Sequence, residues 1–259
     1  MSPEQRIELK NPLHIGADFC YDKEYMNEQS FSNFPQGKSL LNKEIDVIKK
    51  QDLYNKTLKE LDRIVDLLEH PIEPNIKETV AALNVNGFPT NMSCEGHVEE
   101  RFGKLMKLSP YVGIGVEEPK IRFVGEVEIK NNIASQFGIS VDEISDHKVA
   151  DDAYWDYIQK NEPPETTEYI SCIKKNSELK ENLSIVLESF YNNRQVKEET
   201  QLVLEDIDPC GSFSINPKKE NPEHIELEDI DKYRKELSEE QKEIIEFGIF
   251  LKNRFFDHQ

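Results

Sequence analysis

Ser93-Cys94-Glu95-Gly96-His97 places a thiol, a carboxylate, an imidazole and a glycine within one turn's length of chain. A thiol three residues before an imidazole suits a metal-ligand pair, because a tight turn brings positions i and i+3 together and sulfur with nitrogen suits zinc. Further ligands would then come from His147, Asp151, Cys210 or an acid elsewhere. The same two residues suit catalysis by a nucleophilic or redox thiol: His97 would lower the pKa of Cys94 toward the reactive thiolate, and Glu95 would orient the imidazole. In a third arrangement the loop is a binding turn. Gly96 lets backbone N–H groups approach an anion, and Thr90, Ser93, Glu95 and His97 add polar contacts, with Arg101 and Lys104 close by in sequence. In a fourth, Cys94 is a small buried apolar residue and Gly96 only turns the chain.

The elements around this loop follow from hydrophobic spacing. Tyr54, Leu58, Leu61, Val65 and Leu68 recur at intervals of four and three, the pattern of an amphipathic helix ending near His70-Pro71. A second helix is expected from Pro74, whose missing N–H is harmless at the first helical position, through Ile76, Val80 and Leu83 to a stop at Gly87. A short strand then leads into the Cys94 loop. Tyr111 to Val116 reads as its antiparallel partner, its glycines alternating with apolar residues where something packs closely on one face, and Ile121 to Val124 as a third strand.

From about 126 to 168 the pattern changes to short helical pieces, including Asp151 to Gln159 with Trp155. Val141 to Glu168 holds nine acids against two lysines, which marks an acidic helical insertion able to dock a basic protein partner. Leu179, Leu183, Val186, Leu187 and Phe190 mark a core helix. Gln201 to Ile207 and Ser212 to Ile215 form a strand pair about a type I turn at Asp208-Pro209-Cys210-Gly211. Ser238 with Gln241 makes a capping box for a last helix bearing Ile244, Ile245, Phe247, Leu251 and Phe255. The expected fold is α+β: a small, mainly antiparallel sheet packed by three or four helices. Residues 1–50 would form an arm, and 51–259 a single body carrying the insertion.

The formal net charge of −19 repels phosphate backbones and excludes non-specific nucleic-acid binding by the chain as a whole. Charge is uneven, however. Arg101, Lys104, Lys107, Lys120 and Arg122 face only Glu117 and Glu118 over that stretch, so a small anionic or nucleotide-like ligand could be drawn there. Cys20, Cys94, Cys172 and Cys210 are widely separated, a poor disulfide framework that fits a reducing, cytoplasmic setting. No apolar run reaches the roughly 18 residues of a membrane span. Walker, dinucleotide, G-x-S-x-G, H-E-x-x-H and C-x-x-C motifs are absent.

The run Gly87-Phe88-Pro89-Thr90-Asn91-Met92-Ser93-Cys94-Glu95-Gly96-His97 resembles a scattered group of uncharacterised bacterial and phage proteins with the wording G-[FY]-x-T-x-x-S-C-E-G-H after a helix. Leu187 to Arg194 and the Phe-rich closing helix are similar to the longer members, so the resemblance spans most of 60–256; it carries no activity. Ser93, Cys94 and Gly96 are also similar to the Ser-Cys-Ser-Gly-Arg motif of the wybutosine-synthesising tRNA methyltransferase family Tyw3. That resemblance covers about forty residues and implies S-adenosylmethionine and a tRNA substrate. His97 stands where that family has arginine, and Glu95 where it has a small hydroxyl residue. The expected function is binding of a small anionic ligand at the Cys94 loop, with zinc as a candidate cofactor. An RNA-modifying enzyme and a protein-interaction module are the alternatives.

Overall fold

The computed structural model describes residues 35–65, 70–101, 104–218 and 225–257. Their fold is α+β, with a small antiparallel sheet packed by helices. Helix α1 spans Pro35–Leu61 and α2 spans Pro74–Val85. Strands β1 (Thr90–Cys94), β2 (His97–Arg101), β3 (Lys104–Leu108) and β4 (Tyr111–Ile114) follow. Helices α3 (Glu126–Phe137), α4 (Lys148–Asn161) and α5 (Thr167–Tyr191) come next. The chain then forms β5 (Leu202–Asp206), β6 (Phe213–Pro217) and the closing helix α6 (Ile230–Asp257).

The main sheet has the order β1-β4-β6-β5, every pair antiparallel. Side-chain alternation decides its buried face: Phe213, Ile215 and Pro217 of β6 are buried while Ser214 and Asn216 between them are not. Phe213 and Ile215 join Val112 and Ile114 of β4, Val80 and Leu83 of α2, Leu183 and Phe190 of α5, and Ile244, Phe247 and Leu251 of α6 in one core. Gly113 pairs with Met92 across the β1–β4 ladder, and a Cβ there would lie 2.4 Å from the Met92 Cγ, so the expected close packing over a strand glycine is present.

Several boundaries differ from the sequence expectation. α1 begins at Pro35, so the second part of the expected 1–50 arm is helix; the run from Lys38 to Leu61 contains neither Gly nor Pro to stop it. The aromatic residues Phe19, Tyr21, Tyr25, Phe31 and Phe34 that suggested the arm lie outside the described residues, as does Leu68. α1 also ends at Leu61, earlier than the periodicity implied. Ile121 to Val124 makes only an isolated bridge, Phe123 to Glu165. α6 starts at Ile230, which puts Ser238 inside the helix rather than at its cap: Lys232 to Leu237 are good helix formers apart from Tyr233, and the helix extends back through them.

The acidic stretch folds as α3 and α4 around its own small core of Phe123, Ile129, Ile133, Ala134, Ile144, Ala150, Tyr154 and Ile158. Trp155 of α4 remains 49% exposed. The cysteine spacing gave no sign of one further tie: Cys172 of α5 and Cys210 of the β5–β6 turn form a disulfide. Asn176 draws these elements together, donating to the Cys210 carbonyl at 2.9 Å and accepting from the Val116 N–H at 2.8 Å. Among the described residues no helix is long and apolar enough to cross a membrane.

Candidate metal centre at the end of strand β1

Cys94 is the last residue of β1, where its antiparallel partner is Tyr111, and its side chain is buried. The chain then bends over Glu95 and Gly96 without reversing and enters β2 at His97, the antiparallel pairing running on from Cys94–Tyr111 to His97–Leu108. Gly96 allows this: its φ is +83°, and a Cβ would lie 2.7 Å from the Pro110 nitrogen and 2.9 Å from a Leu237 methyl. Helix α6 closes over the turn, with the Gln241 amide donating to the Gly96 carbonyl at 2.9 Å. The result is a fixed loop in which the Gly96 N–H points at the Cys94 sulfur, 3.3 Å away.

The third participant arrives from α2. Glu73 is the N-cap residue of that helix, in extended conformation, yet its carboxylate makes no capping bond to its own helix. Glu95 supplies one instead, accepting from the Asn75 N–H at 3.0 Å. Glu73 in turn accepts from the Glu95 N–H at 2.5 Å. This reciprocal clip fastens the start of α2 to the loop and leaves the other Glu73 oxygen facing His97, 3.8 Å from Nδ1. The His97 Nδ1 also lies 3.6 Å from the Cys94 sulfur. One ligand atom each from Glu73, Cys94 and His97 thus falls within 4.8 Å of the others.

On the opposite edge of the ring, His97 Nε2 lies 3.0 Å from a Glu99 oxygen. His97 and Glu99 are two apart on β2 and so share a face of the hairpin. A carboxylate is an acceptor only, so this contact places the proton on Nε2 and leaves the Nδ1 lone pair directed at Cys94 and Glu73. Burial pushes the Cys94 thiol up to about 11; the Gly96 N–H opposes this, and the charges of Glu73 and Glu95 add to it. Without a cation, the sulfur is therefore a protonated thiol at neutral pH and a poor nucleophile.

The other expected site residues are distributed more widely. Ser93 precedes Cys94 in β1, so strand alternation turns it to the other face. Thr90 is at the far end of β1, tied to Asn84 of α2 by two hydrogen bonds. Arg101 and Lys104 face each other at the tip of the β2–β3 hairpin, four strand positions from His97, about 13 Å at strand rise. Lys107 is fully buried against Glu240. His147 caps α4, accepting from the Ala150 N–H, Asp151 lies in the first turn of that helix, and Cys210 is in the disulfide. Glu73 and Glu99 were not anticipated as partners of the Cys94–His97 pair. The only local signal for Glu73 was its place before Pro74, and for Glu99 its two-residue spacing from His97. Arg194, which follows α5, forms ion pairs with Glu243 and Glu246 of α6. Compared with family models, curated proteins and solved structures, the chain matches none.

Proposed function

We propose that Glu73, Cys94 and His97 bind a divalent metal ion, zinc by the character of the donors. The observation that carries this reading is the convergence of a sulfur, an imidazole nitrogen and a carboxylate oxygen from three elements within 4.8 Å. Zinc bonds of about 2.3 Å to sulfur and 2.0–2.1 Å to nitrogen, at the tetrahedral angle, hold the two donors roughly 3.6 Å apart. The Cys94–His97 separation is 3.6 Å. For nitrogen and oxygen the same construction yields roughly 3.3 Å, against 3.8 Å between His97 and Glu73. Glu99 behind the imidazole completes a carboxylate–histidine–metal arrangement, which sets the tautomer and strengthens the ligand. The carboxylates of Glu73, Glu95 and Glu99 around the loop favour a cation, which would also hold Cys94 as thiolate against the cost of its burial.

Elemental analysis after equilibration with zinc and removal of excess tests this. About one zinc per chain is expected, falling to background in Cys94→Ala. A stoichiometry well below one in the unmutated protein rejects the reading.

A second reading concerns a protein partner at the acidic insertion. Its support is the exposure of Trp155 on α4, with Asp152 one turn before it and Asp156 next to it in sequence, an exposed aromatic ring in an acidic stretch that suits arginine or lysine side chains. Trp155 is the one tryptophan of the chain, so its fluorescence reports directly on an arginine-rich synthetic peptide. A saturable change that weakens in Asp152→Asn/Asp156→Asn is expected, and an unresponsive spectrum rejects this reading.

A further inference from the structure

We infer that the Glu73–Cys94–His97 centre keeps one coordination position for a donor from outside the chain, and that this donor is water or a small monoanion bound through oxygen or nitrogen. The inference rests on the metal-binding reading above and specifies what the bound ion would do. Zinc in proteins is mostly four-coordinate. Sites closed by four protein ligands are structural, whereas those with three keep the fourth position for water or substrate.

The groups nearest this centre are committed elsewhere. Glu95, next to Cys94 in sequence, has its carboxylate on the Asn75 N–H at the start of α2. Glu99 faces the opposite nitrogen of the imidazole, so it supports His97 without being able to reach the ion on the Nδ1 side. The second Glu73 oxygen takes the Glu95 N–H. The Gln241 amide is occupied by the Gly96 carbonyl. Among the described residues, the cluster of potential ligands therefore stops at three. Access is also provided. Cys94 is buried, but the side chains of His97 and Glu73 are each 36% exposed, so the centre can be reached from solvent.

Charge narrows the class of ligand. A thiolate and a carboxylate balance the two positive charges of the ion, leaving a formally neutral centre that accepts a neutral or singly charged donor. The Glu95 and Glu99 carboxylates repel a polyanion, and Lys104 is exposed at the remote hairpin tip. A hydroxide or a small carboxylate satisfies these conditions, whereas a nucleotide triphosphate does not. The basic stretch therefore does not select the ligand; the ion would.

Cobalt(II) in place of zinc gives the test, because its visible bands report ligand type and coordination separately. In the full-length protein loaded with cobalt, a thiolate-to-cobalt charge-transfer band is expected, together with ligand-field bands that shift saturably on titration with azide. Lys104→Gln, at the remote hairpin tip, should leave the azide response unchanged. The inference is overturned if the thiolate band is present but the ligand-field bands do not move with azide or acetate. It is equally overturned if a response appears only in Glu95→Gln, since Glu95 would then be the fourth ligand. Absence of any thiolate band in the unmutated protein rejects the metal-binding reading itself, an outcome distinct from a closed site.

Discussion

Beside the Cys94 turn lies a buried ion pair whose removal should be costly one residue at a time and nearly free when both residues are replaced. Lys107 of β3 is 0% exposed and Glu240 of α6 is 1% exposed; their charged groups are 2.5 Å apart, and Ser109 donates to the second Glu240 oxygen at 2.8 Å. Lys107→Met leaves the Glu240 carboxylate buried with one hydroxyl partner, and breaking a buried pair in this way costs about 3–5 kcal/mol. At a urea dependence of about 2 kcal/mol per molar, the unfolding midpoint should drop by roughly 2 M. In Lys107→Met/Glu240→Leu both charges disappear, and substitution of a buried pair by apolar side chains ranges from neutral to a gain of about 1–4 kcal/mol. The Ser109 hydroxyl then loses its acceptor, at about 1–3 kcal/mol. The double variant should consequently lie close to the unmutated protein, and adding Ser109→Ala should recover part of any residual loss. Urea titrations followed by circular dichroism over the whole cycle measure the coupling. A single Lys107→Met variant within about 1 kcal/mol of the unmutated chain, or a double variant as unstable as that single one, would refute the reasoning.

Further outcomes follow from other sites. Gly96→Ala must place a β-carbon against Pro110 and Leu237 at a φ of +83°; the conformational penalty alone is about 1–2 kcal/mol, and both the thermal midpoint and bound zinc should fall. In chelator-treated protein, alkylation of Cys94 should be slow at neutral pH, with a midpoint near 11 set by burial; a midpoint below that of a free cysteine would contradict the burial of the thiol. Burial alone would raise the Glu126 carboxyl, but the Lys130 ammonium and the N–H groups of Phe123 and Arg122 bring it below its ordinary value. Its folded-state pKa is thus depressed, so its contribution is present above the unfolded value near 4.5 and is lost as pH falls through the folded one. Glu126→Gln should flatten stability against pH in that acidic range, and an unchanged acid profile would count against the assignment.

The secondary structure nearest the candidate centre was largely legible in the residue order. Pro74 at a helix start, Gly87 at its end, the strand before Cys94 and the glycine-bearing strand after it depend on local backbone chemistry and on periods of 3.6 and 2. The Cys94–His97 pair was legible for the same reason, because a turn too short to do otherwise keeps positions i and i+3 together. The disulfide was not: Cys172 and Cys210 are 38 residues apart and meet only because α5 packs against the β5–β6 turn. The helix starts at Pro35 and Ile230 were missed because aromatic scatter and a credible capping box resembled boundaries, while good helix formers on either side let the helices run through them.

What the sequence by itself determined is a rigid turn that presents sulfur and imidazole together at the end of a strand. What only the tertiary structure decided is the third ligand and the charge around it. Glu73 reaches His97 because α2 is clipped to the loop by Glu95, while of the basic residues that suggested an anion site Arg101 and Lys104 are carried away along the β2–β3 hairpin, Lys107 is buried against α6 and Arg122 pairs with Glu165. Local chemistry reaches only as far as a turn or a helical repeat. The sign of the field at a site depends on which distant carboxylates packing brings within a few ångströms, where the Coulomb interaction is large and water no longer screens it fully.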